Sequence, residues 1–290
     1  MVHLPNKIDL HMHTIVSDGT DKPEDMIKIA ESSGINLFSV TDHDAIKAGK
    51  IIKKIIKNTD PRFITGVEFS CKDEEGKYHI LGYDYDPNGE SINELVRLGH
   101  EMRIQKVIER LDFIKNEFGF EFSKDDVDQI FSLDNPGKPH IANLMVKYGY
   151  ASSRSEAITQ FIDKKKFSNE YISPEKAIRG LILSGGIPVL AHPFYGDGDD
   201  LILGDDMEKR LLRLKSFGLE GVEAFYSGFT EKLRLQMLSF AEKYDFMITC
   251  GSDYHGANKM VVAGDTGFDC SAPYPDGLSR FLERVGYVLR

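Results

Sequence analysis

The sequence predicts an α/β fold of parallel strands interrupted by a helical insertion. Three observations carry this. Strand-like and helix-like segments alternate at both ends of the chain, the stretch from about 91 to 170 is helical throughout, and metal-ligand side chains collect where strands end. "KIDLHMH" opens as a strand. The helix "PEDMIKIAESSG" follows, with Pro23 suited to a first turn and Gly34 to a stop. Next come the strand "NLFSVTDHD", the helix "AIKAGKIIKKIIKN" and the strands "RFITGVEFS" and "KYHILGYDY". "SINELVRLGHEMRIQKVIERLDFIKNEFG", "SKDDVDQIF", "KPHIANLMVKYG" and "SRSEAITQFIDKKK" then read as helices. Alternation resumes with the helix "SPEKAIRGLILSGG", the strand "IPVLAHP", a helix near 207–217 and the strand "LEGVEAFY". It ends with the helix "TEKLRLQMLSFAEKY", the strand "FMITCGSDYH" and a last helix and strand in "PDGLSRFLERVGYVLR". No repeat, low-complexity tract or flexible linker interrupts this order.

A chain of 290 residues, 41% hydrophobic and 28% charged, can bury a full core as one barrel-sized domain or two smaller ones. No apolar run reaches membrane-spanning length, and "MVHLPNKIDL" enters the first strand without a signal-peptide core, which places the expected location in the cytoplasm. Cys71, Cys250 and Cys270 are scattered without C-x-x-C spacing and read as reduced thiols. The net charge of −10 argues against a long electrostatic track for nucleic acid, while a small anionic substrate stays open if positive charge is local. No protein partner is indicated.

On a strand, alternate residues share a face, so Asp9, His11 and His13 point one way and Ile8, Leu10 and Met12 the other. Two imidazoles two residues apart make a divalent-metal clamp, with Asp18 in the loop just beyond. Taken alone, H-x-H reads equally well as a hydrogen-bonded polar strand end. The same pattern recurs: Asp42 and His43 end the second strand, Glu68 the third, and His79 lies in the fourth. His192 ends "IPVLAHP", and Asp253 and His255 follow "FMITCGSDYH". Singly, His79 reads also as a core histidine, His192-Pro193 as a turn, "SDYH" as a helix cap, and Asp42 as a ligand or a ligand's partner. Coincidence at nearly every strand end is the weaker account, because strand ends in a parallel barrel converge on one mouth.

Six histidines with Asp18, Glu68 and Asp253 exceed one tetrahedral zinc and suit two or three divalent ions such as Mn²⁺, Fe²⁺ or Zn²⁺. Three such ions outweigh three carboxylates, leaving a positive site matched to a phosphate dianion. Such a cluster activates water and clamps phosphoryl oxygens. No Ser-His-Asp or Cys-His pairing and no P-loop is evident, so water is the expected nucleophile. Glu223, also at a strand end, reads as structural. The acidic, glycine-rich loop 194–206 reads as a solvated loop, with a mobile lid as the alternative.

"DLHMHTIVSDG", "SVTDHD", "GVEFS", "VLAHP" and "GSDYH" resemble, in order, the motifs of the PHP (polymerase and histidinol phosphatase) family over nearly the whole chain. The resemblance implies a distorted (β/α)7 TIM-like barrel formed by residues 1–90 and 171–290, with 91–170 as an inserted helical subdomain. It implies one metal on His11, His13, Glu68 and Asp253, a second on Asp18, His43 and His255, and a third on His79 and His192, with Glu68 bridging. Asp42, Glu68 and His192 are the implied catalytic residues, Asp42 acting near the nucleophile or behind a ligand.

The insertion is similar to that of PHP phosphoesterases of the nucleoside 3′,5′-bisphosphatase and 5′–3′ exoribonuclease branch. The matching stretches are "GKPHIANLMVKYGYASSRSEAITQFI" and "EMRIQKVIERL", with Arg103 in place of that branch's helix arginine. Gly99 and His100 stand where relatives often carry further arginines, and Lys138 replaces a frequent arginine, losing a bidentate fork. The expected reaction is removal of the 3′-phosphate from a nucleoside 3′,5′-bisphosphate. Alternatives are trimming of short RNA ends from 5′ to 3′, histidinol-phosphate hydrolysis (disfavoured by the insertion), and a non-catalytic metal-binding module. An amidohydrolase also opens with H-x-H, but its usual strand-end lysine is not evident. Arg103, Lys138 and His140, beside a helix start at Pro139, are expected to hold the non-reacting 5′-phosphate. Otherwise His140 merely caps its helix and Arg103 pairs with Glu101 or Glu109.

Overall fold

The computed structural model describes residues 5–167, 171–196 and 201–287. The chain begins with β1 (Ile8–Asp9), α1 (Met26–Ser32), β2 (Leu37–Val40), α2 (Lys47–Ile55), β3 (Arg62–Asp73) and β4 (Gly76–Tyr83). A helical stretch follows: α3 (Glu90–Phe118), α4 (Lys124–Ser132), α5 (Lys138–Lys147) and a short α6 (Arg154–Glu156). After α6 the winding loosens to a π-helical segment at Ala157–Phe161 and tightens to a 3₁₀ turn at Ile162–Lys164, where one regular helix was expected. The chain then returns to alternation with α7 (Pro174–Leu183), β5 (Ile187–Leu190), α8 (Gly204–Phe217), β6 (Gly221–Tyr226), α9 (Glu231–Lys243), β7 (Met247–Gly251) and α10 (Asp276–Arg284). Local chemistry sets many of these limits. Ser173 and Thr230 accept a backbone N–H at the starts of α7 and α9, and Pro174 occupies the first turn of α7. Gly119 and Gly218 end α3 and α8 in the left-handed conformation.

The seven strands lie side by side in sequence order. β1–β2, β2–β3, β5–β6 and β6–β7 are parallel, as expected, but β4 runs antiparallel to both β3 and β5. The all-parallel expectation fails there for a simple reason. Only Glu74 and Glu75 separate the paired residues Asp73 and Gly76, and so short a link joins only antiparallel strands. The ring closes because the backbone beyond β1 also pairs with the end of β7. Leu10 N donates to Cys250 O, Asp253 N to His11 O and His13 N to Tyr254 O, each at 2.8 Å. The result is a nearly closed, distorted TIM-like barrel wrapped by helices. No strand follows α10 among the described residues, and residues 288–290 of the expected last strand lie outside them. Residues 197–200 of the loop 194–206 also lie outside them, while Tyr195 and Leu201 on either side form an antiparallel bridge. No described helix is long and apolar enough to cross a membrane.

The largest apolar cluster fills the barrel around Phe69, Tyr83, Leu190 and Val222 and extends to Phe281 on α10. A second joins Met12 and Phe38 to α1 and α2. A third lies within the helical stretch, around Val107, Ile114, Ile141, Met145 and Ile162. α3 links them, since Ile92 and Leu95 belong to the barrel cluster and Val107 and Ile114 to the helical one. One rigid helix therefore fixes the helical stretch to the barrel.

Strand packing is tight at Gly66 on β3, where a Cβ would meet Ser39 Oγ at 2.2 Å, Thr41 Cγ2 at 2.6 Å and Val40 O at 2.9 Å. Gly66→Ala is expected to destabilise by about 1–3 kcal/mol, the usual cost of overpacking. Thermal unfolding followed by circular dichroism checks this, and an unchanged midpoint would contradict the packing described.

Candidate metal centre

Every ligand-type residue singled out in the sequence reaches one place. His11 and His13 follow β1, Asp18 lies in the next loop, His43 follows β2, Glu68 lies within β3, His192 follows β5, and Asp253 and His255 follow β7. His79 arrives from the opposite direction on antiparallel β4, opposite Ser70 of β3. Glu68, 1% exposed, is the hub. Its Oε2 lies 3.3 Å from His11 Nε2, 3.2 Å from His13 Nε2 and 3.1 Å from His43 Nδ1. Its Oε1 lies 2.9 Å from His79 Nδ1 and 3.3 Å from His192 Nε2. Asp253 Oδ1 sits 3.5 Å from His11 Nε2 and 3.4 Å from His13 Nε2. Asp18 Oδ1 is 3.3 Å from His255 Nε2, and its Oδ2 is 3.9 Å from His43 Nε2.

These separations are those of ligands sharing an ion: two donors each about 2.1 Å from a metal stand roughly 3–3.5 Å apart. The hydrogen-bond pattern supports the same reading. His11 Nε2, His13 Nε2, His43 Nδ1 and Glu68 Oε2 are buried and make no hydrogen bond, a costly state that a shared cation relieves. The donor atoms cluster as His13, Asp18, His43 and His255, as His11, His13 and Asp253, and as His43, Glu68 and His79. His13 and His43 thus stand in two clusters each, where the family resemblance implied a single place for each. His192 joins through its Nε2, 3.2 Å from His79 Nδ1. The residues fit divalent ions.

Charge is organised around the same hub. Burial opposes ionisation of Glu68, Asp18 and Asp253, yet the facing imidazoles, and Lys259 at Asp253, hold all three well below the usual carboxylate range. Burial likewise opposes charge on His13, but Asp253 and Glu68 push its pKa up to about 9. His43 goes the other way. Burial, with His13 and Arg103 adding to it, outweighs Glu68 and Asp18 and holds its ring neutral.

A set of buried carboxylates holds the ligands from behind. Glu223 Oε1 is 3.0 Å from His11 Nδ1, and its Oε2 accepts from the His192 backbone N–H at 2.7 Å. The structural role expected of Glu223 therefore bears directly on two ligands. It also steadies a strained backbone, because His192 has φ 28°. Asp9, although on the His11 face of the sequence pattern, is bound by Ser252 N, Ser252 Oγ and Gly264 N, and burial raises it to about 6. Asp42 accepts from Thr14 N, Thr14 Oγ1 and Ser17 Oγ at 2.6–2.8 Å. Its carboxylate is spent bracing the loop between His13 and Asp18, and burial raises its pKa.

The expected phosphate contacts stand differently. Arg103 binds Asp44 through Nε and Nη2 at 3.2 and 2.7 Å rather than Glu101 or Glu109, leaving Nη1 without an acceptor among the described residues. His140 Nδ1 accepts from Gly137 N at 3.0 Å, so it does cap its own helix, and its Nε2 has no partner among the described residues. Lys138 is paired with Asp163 at 3.1 Å, which turns it from an open donor into half of an ion pair. Two residues had no sequence signal strong enough to single them out. Lys259 Nζ and Tyr226 OH both donate to Asp253 Oδ2, at 2.6 and 3.0 Å. With Tyr195 they face five of the ligand-type residues across a cleft of about 530 Å³.

Comparison with known proteins agrees with this geometry. The profile of the PHP domain family matches residues 9–170, more than half of the chain. The chain belongs to the PHP domain family. As such it is a metal-dependent phosphoester hydrolase. Among its relatives, a 5′-3′ exoribonuclease of Haemophilus influenzae is 26% identical over 255 residues, covering 87% of this chain and 91% of the relative. A phosphoribosyl 1,2-cyclic phosphate 1,2-diphosphodiesterase of Eggerthella lenta is 28% identical over 258 residues, covering 86% and 94%. A 3′,5′-nucleoside bisphosphate phosphatase of Chromobacterium violaceum is 24% identical over 260 residues, covering 86% and 87%. This PHP protein is similar to all three at nearly one level.

Because Glu223 orients His11 and anchors His192, Glu223→Ala is expected to weaken metal binding roughly 10–100-fold, the range for a ligand's outer partner. Equilibrium dialysis with elemental analysis checks this. Wild-type metal affinity in the variant would show that Glu223 serves the barrel alone.

Proposed function

We propose that this protein removes the 3′-phosphate of small nucleoside 3′,5′-bisphosphates, using two or three divalent ions of the Mn²⁺, Fe²⁺ or Zn²⁺ kind. The observation that carries it is the buried Glu68 hub, with its orphaned donor atoms, at the floor of a cleft of about 530 Å³, within the roughly 300–1,000 Å³ of small-molecule sites. Ions held there supply an activated water and neutralise the phosphoryl charge. Glu68 would hold the ions together with the surrounding histidines, Asp18 and Asp253; His79 and His192 line the cleft, and Asp42 keeps the Thr14–Ser17 loop in place. Arg103 Nη1 and His140 Nε2 are the donors proposed for the second phosphate. A Cβ on Gly137, at the start of the His140 helix, would stand 2.8 Å from Arg103 Nη1. Lys138 contributes only where a substrate displaces Asp163.

The mononucleotide is favoured over a long strand because three of the cations near the site already carry counter-charges: Arg103 with Asp44, Lys138 with Asp163, Lys259 with Asp253. The second reading is 5′–3′ trimming of short RNA, supported by the similarity to the Haemophilus influenzae exoribonuclease. The two differ in salt response. A bisphosphate substrate is expected to show the shallow salt dependence of roughly one or two phosphate contacts, and a strand a steep one.

The deciding experiment compares turnover of pAp, short 5′-phosphorylated RNA, phosphoribosyl 1,2-cyclic phosphate and histidinol phosphate, each with added Mn²⁺ and at several salt concentrations. pAp is expected to give the highest kcat/KM. Efficiency that rises with RNA length and falls steeply with salt would replace the bisphosphatase reading with the exonuclease one. Purified protein is expected to carry more than one ion per chain. Glu68→Gln is expected to lose at least about 100-fold in kcat, beyond the range for outer partners. One ion or fewer, or near-normal turnover of the variant, would remove the multinuclear site.

A further inference from the structure

Lys259 stands four residues beyond His255, on a segment fixed at the two residues before it. Ala257 N donates to Thr20 Oγ1 at 2.9 Å, and Asn258 Nδ2 donates to Asp18 O at 2.8 Å. Arg154, from the helical stretch, donates through Nη1 to both Asn258 O and Asn258 Oδ1, at 2.9 and 2.7 Å. The backbone carrying Lys259 is thus clasped between a metal-ligand loop and the insertion. Its side chain reaches Asp253 on one side only. Asp253 Oδ2 receives Lys259 and Tyr226, while Oδ1 faces His11 and His13. The two partners are unequally covered: the Asp253 side chain is 7% exposed and that of Lys259 41%. The ammonium therefore lies on the cleft side of the carboxylate, among the residues lining the cleft.

An ion pair alone does not require this placement. A divalent ion held by Asp253 and the histidines would draw on the same carboxylate charge that holds Lys259, so the ammonium would gain attraction for a further anion at the cleft. A phosphoryl group over the ligand cluster has three oxygens bearing negative charge. A cation already held at the edge of that cluster costs little to reorganise when the ester is attacked. Lysine suits this role as a compact point charge on a flexible stem.

We propose that Lys259 is a catalytic residue that contacts a non-bridging oxygen of the reacting phosphoryl group. Tyr226 is a positioning residue, which holds Asp253 Oδ2 so that Oδ1 remains toward the histidines. The proposal rests on the phosphoester chemistry and not on the nucleoside. Its tests therefore use ligands that lack one.

The experiment compares wild type, Lys259→Met, Lys259→Arg and Tyr226→Phe, each loaded with Mn²⁺. Metal content is measured by elemental analysis, binding of inorganic phosphate by titration calorimetry, and kcat/KM with p-nitrophenyl phosphate. Lys259→Met is expected to keep its metal content while binding phosphate at least about 10-fold more weakly and losing roughly 10²–10³-fold in turnover, as for loss of one transition-state donor. Lys259→Arg is expected to recover most of the phosphate affinity, and Tyr226→Phe to lower metal content with smaller effect on phosphate bound per loaded site. Unchanged phosphate binding in metal-loaded Lys259→Met overturns the proposal. So does metal loss in Lys259→Met equal to that in Tyr226→Phe with phosphate affinity preserved, which would leave Lys259 as a support for Asp253. A poor result with pAp but intact phosphate effects would count against the nucleotide reading and leave Lys259 in its role.

Discussion

A carboxylate with five imidazoles around it cannot exist in an apolar interior unless something holds the whole set in place. Glu68 is that carboxylate. Ionised and out of water, it would be strongly disfavoured, and the rings of His11, His13, His43, His79 and His192 are what make its position tenable. Those rings come from β1, β2, β4 and β5 or the residues just beyond them, so the hub exists only if the sheet curls far enough to bring its two ends together. The main-chain bonds between residues 10–13 and 250–254 complete that curl. Barrel closure and site assembly are therefore one event, and divalent ions are the natural countercharge once it has happened.

Around the hub, buried carboxylates do the work of alignment. Asp9 ties the start of the chain to Ser252 and Gly264, Asp42 braces the loop that carries Asp18, and Glu223 orients His11 while anchoring the backbone of His192. Asp44, with φ 51°, accepts from Ser70 N and from Arg103. The helical stretch joins this arrangement through polar contacts: Arg103 to Asp44, Asn135 to the backbone oxygen of His43, and Arg154 to Asn258. A change in the insertion therefore transmits directly to ligand positions. The insertion is thus tied to the segments that carry the candidate metal ligands.

That coupling gives a physical reason why one catalytic framework can serve different esters. The relatives act, by their names, on an RNA, a cyclic sugar phosphate and a nucleoside bisphosphate, at 24–28% identity to this chain. All three substrates share a phosphoryl group, the part that a cluster of divalent ions suits. What differs is what surrounds the rest of the substrate; beside the cleft this chain presents Tyr195 and Tyr226, and Arg103 lies close to Gly137 at the start of the His140 helix.

The sequence by itself determined which imidazoles and carboxylates gather at one place, because strand ends of a barrel meet at one mouth and these side chains stand at the ends of apolar runs. It also determined most helices through their periodicity, their caps and the glycines that stop them. Tertiary structure decided the rest. The direction of β4 followed from a two-residue link whose effect appears only when both strands pair. Arg103 chose Asp44, 59 residues away, over the glutamates on its own helix, because packing of α3 on the barrel buried it beside that carboxylate. Asp42 became a brace through hydroxyls 25 and 28 residues earlier. Lys259, one lysine among many in the sequence, gained its meaning only from the face of Asp253 that it touches. Partners of this kind are set by which surfaces come together, and no local pattern of residues encodes them.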